Sequence, residues 1–128
     1  MKIELLAAGT KPPKWIVEGV SEYQKRMPRE CRLEIRELAI AKRVKNDSIE
    51  RFMLEEEKRF RQQVKKGAKI ISLDSTGKMM TTRDLAKSLE RWMGDSSHVQ
   101  MLIGGPDGLS KGSLDLASES WSLSRLTF

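Results

Sequence analysis

Residues 102–110 read LIGGPDGLS. Two branched apolar residues, Leu102 and Ile103, run straight into Gly104-Gly105, and Pro106, Asp107 and Gly108 follow before Leu109 and Ser110. Upstream, HVQMLIG (98–104) has the short apolar character of a buried strand. Downstream, Ser110 opens a short helix to about Ser118, and WSLSRLTF (121–128) predicts a last strand. Strand, bare backbone, helix and strand in that order predict an α/β unit. Two readings of GGPDG stand side by side. Proline at the second position of a tight turn with glycine near its end is ordinary turn chemistry. Glycines at a strand end also leave main-chain N–H and C=O groups open to a flat ligand.

The same alternation extends back to the N-terminus. KIELLAA (2–8) predicts a buried strand. Pro12 and Pro13 suit a helix start, with Trp15, Ile16, Val20 and Tyr23 on its inner face and Pro28 at its end. Cys31, Leu33 and Ile35 alternate with charges, the pattern of a half-exposed edge strand. Asp47 and Glu50 are spaced as a capping box before a long helix, whose inner stripe is Ile49, Phe52, Met53, Phe60 and Val64 and whose stop is Gly67. AKIISLD (68–74) predicts another strand. A helix capped by Thr81 or Thr82 follows, with Leu85, Leu89, Trp92 and Met93 inward and Gly94 as its end. The order β-α-β-α-β-α-β-α-β predicts one domain over 1–128, a mostly parallel sheet with helices on both faces. Such sheets place ligands at the carboxyl ends of their strands.

Composition narrows the function. The chain has 128 residues, 38% hydrophobic and 33% charged, as a soluble globule requires. No apolar run approaches the ~20 residues of a membrane span, and the N-terminus lacks the features of a secretory signal. Cys31 is the only cysteine and His98 the only histidine, so an intrachain disulfide and a Cys/His metal site are both excluded, and no metal is expected. Cysteine usage gives a cytoplasmic address by default. The net charge of +6 suits RNA or a phosphate-rich partner. Lys42, Arg43 and Lys45 fall between predicted elements, where converging cations suit phosphate contact.

Two strand ends carry the candidate site: Leu73 and Asp74 after ISL, and Gly104 and Gly105 after LI. If these strands are neighbours, their ends form one crevice. The dinucleotide fingerprint G-x-G-x-x-G and the P-loop are both absent, and no G-x-S-x-G elbow exists. Cys31 reads as core and His98 as a solvated structural residue. Asp74 is a general-base candidate by location alone.

LLAAGTKPPKW with GVSEYQKRMP (5–28), LIGGPDGLS (102–110) and SWSLSRLTF (120–128), with AKRVKN and SLDSTGK in order between them, resemble the SPOUT-class family of pseudouridine N3-methyltransferases of large-subunit ribosomal RNA. The resemblance covers the whole chain. It implies an α/β fold with a C-terminal trefoil knot, a homodimer, S-adenosylmethionine as cofactor, and rRNA of the assembled ribosome as substrate. It also implies three walls for the cofactor: Leu73; Gly104 and Gly105; and Ser124, Arg125, Leu126, Thr127 and Phe128. A side chain at Gly105 is expected to intrude on the adenosine. The chain departs from the family at Asp107, where glutamate is usual, and at Ala41 and Val44, where glycines are common. The family continues past the position of Phe128 with a helix that completes the knot, pocket and dimer. Residues 1–128 alone are therefore expected to bind cofactor and methylate ribosomes far more weakly than a chain with that tail. The alternative is a catalytically inactive RNA-binding remnant of the same fold.

Overall fold

The computed structural model describes residues 1–9, 12–38, 48–95, 98–105 and 107–123. Within them strands and helices alternate: β1 (Lys2–Ala8), α1 (Lys14–Arg26), β2 (Arg32–Leu38), α2 (Ile49–Gln63), β3 (Lys69–Met79), α3 (Thr82–Asp95), β4 (His98–Ile103), α4 (Lys111–Leu116) and β5 (Glu119–Ser122). The strands form one sheet in the order β2-β1-β4-β3-β5. Every pairing is parallel, so all the carboxyl ends lie along one edge. β2 lies at one border of the sheet, as its charged alternate face predicts.

Alternation along the strands feeds two cores. Ile3, Ile71, Val99, Met101 and Trp121 point to one face, where Trp92 and the half-buried Leu85 and Leu89 of α3 cover them. Leu6, Ala8, Ile70 and Leu102 point to the other, under Phe60 of α2 and Leu114 of α4. Trp92 and Trp121 are fully buried and stack with ring centroids 5.4 Å apart and planes 7° from parallel. Cys31 is core, as expected; burial raises its thiol pKa.

One polar pair interrupts the second core. Register sets Glu4 of β1 beside Gln100 of β4, and both are fully buried. Gln100 Nε2 donates to Glu4 Oε1 (2.7 Å) and to the Gln63 carbonyl (2.9 Å), while its Oε1 accepts from Lys65 N–H (2.8 Å). The pair thus satisfies backbone groups at the end of α2 that a helix leaves open. Arg36 (3.5 Å) and Lys2 (3.8 Å) approach the other Glu4 oxygen. Burial works to raise the Glu4 carboxyl, but the Gln100 hydrogen bond and the charges of Arg36, Lys2 and Lys65 together hold it below its ordinary value. A carboxyl depressed in the folded state stabilises above its unfolded pKa, and that stability is lost as pH falls through the folded value. Urea unfolding of Glu4→Gln should therefore show a deficit against the unaltered protein at neutral pH. The deficit should shrink below about pH 4, where unfolded carboxylates protonate. A deficit independent of pH would remove the charge from the account.

Several sequence expectations are corrected. Trp15 and Tyr23 are 72% and 68% exposed, and α1 has no buried residue. Ile49 and Met93 are also exposed. The α2 cap is Ser48, whose hydroxyl accepts from Arg51 N–H, rather than Asp47, which lies outside the described residues. That helix ends at Gln63, short of Gly67, which sits in the following turn with φ +86°. His98 is half-buried rather than solvated, its Nε2 buried with no hydrogen-bond partner among the described residues. Burial lowers its pKa. β5 covers Glu119–Ser122, and residues 124–128 of the strand predicted to Phe128 lie outside the described residues. The α3 cap is Thr81, whose hydroxyl accepts from Asp84 N–H while Asp84 accepts from Thr81 N–H.

Candidate functional site

The sheet order makes β3 and β4 neighbours, pairing Leu73 with Ile103. Their ends open a crevice of about 470 Å³ whose walls include Leu73, Asp74, Ile103, Gly104, Gly105, Asp107 and Trp121. The structure thus brings Leu73, Gly104 and Gly105 together. Two other sets of candidates, Ser124–Phe128 and Lys42, Arg43 and Lys45, lie outside the described residues. Where the third wall was expected, Trp121, Ser122 and Leu123 line the crevice.

Each wall has a local cause. β3 leaves its regular course after Leu73 and resumes at Lys78; both residues pair with Trp121. Within this excursion Asp74 accepts hydrogen bonds from the Thr76 N–H (3.2 Å) and from the Thr76 hydroxyl. These local bonds hold the Asp74 carboxylate at the rim. Gly77 closes the excursion: a Cβ there would stand 2.6 Å from the Ser120 carbonyl, too close for any side chain.

On the other side Gly105 and Gly108 close a tight turn, the Gly105 carbonyl accepting from Gly108 N–H (3.0 Å). Gly108 takes φ +77°, where glycine has no steric penalty. The turn itself forms a wall of the crevice, so the two sequence readings are not exclusive. The glycines answer first to the chain's own packing. A Cβ on Gly104 would lie 2.8 Å from the Gly108 carbonyl carbon and oxygen. A Cβ on Gly105 would run into Oε1 of Glu56, a buried side chain of α2. The space missing at Gly105 is therefore filled by Glu56, a neighbour that turn chemistry does not reveal.

The crevice charge runs against that of the protein. Of the charged residues in the described walls, Asp74 and Asp107 are the only ones, both acidic, although the chain carries +6. Apolar surface comes from Leu73, Ile103, Leu109 and Trp121. The described walls suit a ligand with an apolar or aromatic part and a positive centre. No group of three or more His, Cys, Asp or Glu side chains among the described residues could hold a metal ion. No described helix is long and apolar enough to cross a membrane. A larger cleft, about 640 Å³, lies between α1 and the ends of β1 and β2, lined by Ala8, Ile16, Val20 and Ile35. It has fewer polar groups than the β3–β4 crevice.

An all-parallel sheet with its crevice at these strand ends agrees with what comparison shows. The family described as "Predicted SPOUT methyltransferase" matches residues 1–128. The chain belongs to the SPOUT methyltransferases, and it is an enzyme of methyl transfer. Within that class it is 44% identical over 128 residues to ribosomal RNA large subunit methyltransferase H of Methylococcus capsulatus (strain ATCC 33009 / NCIMB 11132 / Bath), covering 100% of this chain and 83% of that relative.

Proposed function

We propose that the protein methylates N3 of a pseudouridine in the large-subunit ribosomal RNA, with S-adenosylmethionine as donor bound in the β3–β4–β5 crevice. The observation that carries the donor assignment is the acidic, partly apolar wall on a basic protein. A sulfonium is cationic and its adenosine is flat, so Asp74 and Asp107 favour the charge while Leu73 and the Gly104–Gly105 backbone face the ring. The volume lies within the range of about 300–1,000 Å³ typical of small-molecule sites. When bound, the donor supplies an electrophilic methyl group. The chain's residues hold that group in line with the accepting nitrogen, and Asp74, at the rim, is a candidate to take the proton from N3. Ser124, Arg125, Leu126, Thr127 and Phe128 complete the pocket in this reading, which includes the knot of the class. The substrate assignment rests on the 44% identity to the rRNA enzyme. With that substrate, the proposed location is the cytoplasm, beside ribosomes.

The test is transfer of labelled methyl to ribosomes that lack the mark, with the product nucleoside located by mass spectrometry. One methyl per large subunit, on pseudouridine, is expected. Retained RNA binding without transfer would favour the alternative, an inactive RNA-binding remnant.

Lys42, Arg43 and Lys45 are proposed to contact rRNA phosphates. Each phosphate contact removed lowers the log–log salt slope of binding by about one unit. The triple alanine variant should therefore flatten the slope and weaken ribosome binding. An unchanged slope would make the segment a solvated connection.

A homodimer is also proposed. Trp15, Val17 and Tyr23 expose apolar surface on α1 beside the larger cleft, as association surfaces do. Sedimentation velocity of Trp15→Ser/Tyr23→Ser tests it: dissociation is expected, and an unchanged dimer would place the interface elsewhere.

A further inference from the structure

Phe52, Glu56 and Phe60 recur at four-residue spacing on α2, and all three are buried. Four residues is about one helical turn, so the three side chains share one face. Phe60 packs in the second core against the sheet, and Phe52 is buried on the same helix face. An acid between them does not follow from amphipathic patterning, because a carboxylate removed from water is costly to keep. Its place in the fold sets it against the glycine turn. Glu56 Oε1 occupies the space a side chain on Gly105 would need, and the Ala8 carbonyl borders the same space at 3.9 Å. Gly105 in turn presents its backbone to the crevice.

The next residue repeats the arrangement at the far end of the loop. Glu57 Oε1 accepts from the Ser110 hydroxyl (3.0 Å), and its carboxylate fills the space a Cβ on Gly112 would take. Ser110 caps α4, accepting from Ser113 N–H (3.0 Å). Adjacent carboxylates of one helix therefore abut both ends of the stretch from Gly105 to Gly112.

We propose that Glu56 is a positioning residue of the methyltransferase: seated in the side-chain space of Gly105, it fixes the backbone wall on which the methyl donor rests, while Glu57 pins the far end of the same loop. A glycine-rich loop has more backbone freedom to lose than any other. Support from a rigid element removes that loss before the ligand arrives, which is preorganisation. The inference rests on the reading that the crevice binds S-adenosylmethionine.

A double-mutant cycle tests it. Calorimetry with S-adenosylmethionine and thermal melting are run on the unaltered protein, Gly105→Ala, Glu56→Ala, and the two combined. Gly105→Ala alone should weaken binding about tenfold or more, because the added methyl meets the carboxylate. With Glu56→Ala already in place, the same change should cost less than about threefold. Glu56→Gln keeps the bulk, so it should hold the donor almost as well as glutamate, and Gly105→Ala should remain costly on that background. An equal penalty for Gly105→Ala with and without Glu56 would overturn the assignment, since it would place the methyl against the ligand rather than against α2. So would unchanged binding in Glu56→Ala. Absence of binding by the unaltered protein would overturn the cofactor reading itself. The melting temperatures separate the two failures, because coupling between Glu56 and Gly105 shows there without ligand.

Discussion

Trp92→Ala is expected to lower the melting temperature by roughly 10–25 °C, the equivalent of about 3–5 kcal/mol for emptying a buried aromatic site in a chain of this size. Trp92 is fully buried, and it joins α3 to β5 by stacking on Trp121. Its removal forfeits the aromatic contact, worth about 0.5–1.5 kcal/mol, and opens a cavity that neighbours in a parallel sheet cannot fill. Against a net stability of about 5–15 kcal/mol for a domain, that is a large fraction. The damage should reach the crevice, because Trp121 is one of its walls. Circular dichroism melts measure the loss, with Trp92→Phe as the milder comparison. A shift of only a few degrees for the alanine variant would mean that the tryptophan stack does not hold α3 to the sheet.

Gly104→Val should cost S-adenosylmethionine binding about a hundredfold or more, about 2.7 kcal/mol, with a far smaller change in melting temperature. The reason is backbone against backbone. A Cβ at Gly104 would stand 2.8 Å from the Gly108 carbonyl and 3.1 Å from Leu109 Cδ2, so the turn has to open to admit it. The turn lies at the end of β4, past its paired residues, and Leu109 ties it to the second core, so the sheet survives with some loss of stability while one crevice wall is displaced. Gly94→Ala is the control. A Cβ there meets nothing within 4 Å, and neither binding nor stability should fall. Equal affinity in Gly104→Val would show that the turn is not part of the donor site.

Much of the fold was legible because burial imposes a period. The runs at 2–8 and 98–103 declare strands buried on both faces, and Leu85, Leu89 and Trp92 declare the covered face of a helix. Periodicity says less about what covers a face. Trp15 and Tyr23 have helical spacing yet stand exposed, since no described element packs on them. Ile49 opens α2 in its first turn, and Met93 sits near the end of α3, where a helix is only partly covered. Asp47 and Ser48 are both good caps; the hydroxyl–Arg51 bond decides between them, and spacing cannot. At the site, the strand-end glycines and Leu73 could be found from strand order alone. Asp107, Trp121 and Leu123 were missed as wall residues, although an acid inside a glycine turn is a usable signal in a basic protein. Glu56 was missed too. Its signal was present in the sequence: an acid standing where the Phe52–Phe60 stripe calls for an apolar residue.

Amide hydrogen exchange, measured with and without saturating S-adenosylmethionine, tests the central claim most directly, because it reports where on the chain the donor binds. If the β3–β4–β5 crevice is the donor site, protection should rise at 73–75, at 104–105 and at 107–109. The amides of Ile16, Val20 and Gln24, along the larger cleft, should exchange as before. Protection confined to that cleft, with the glycine turn unchanged, would contradict the account.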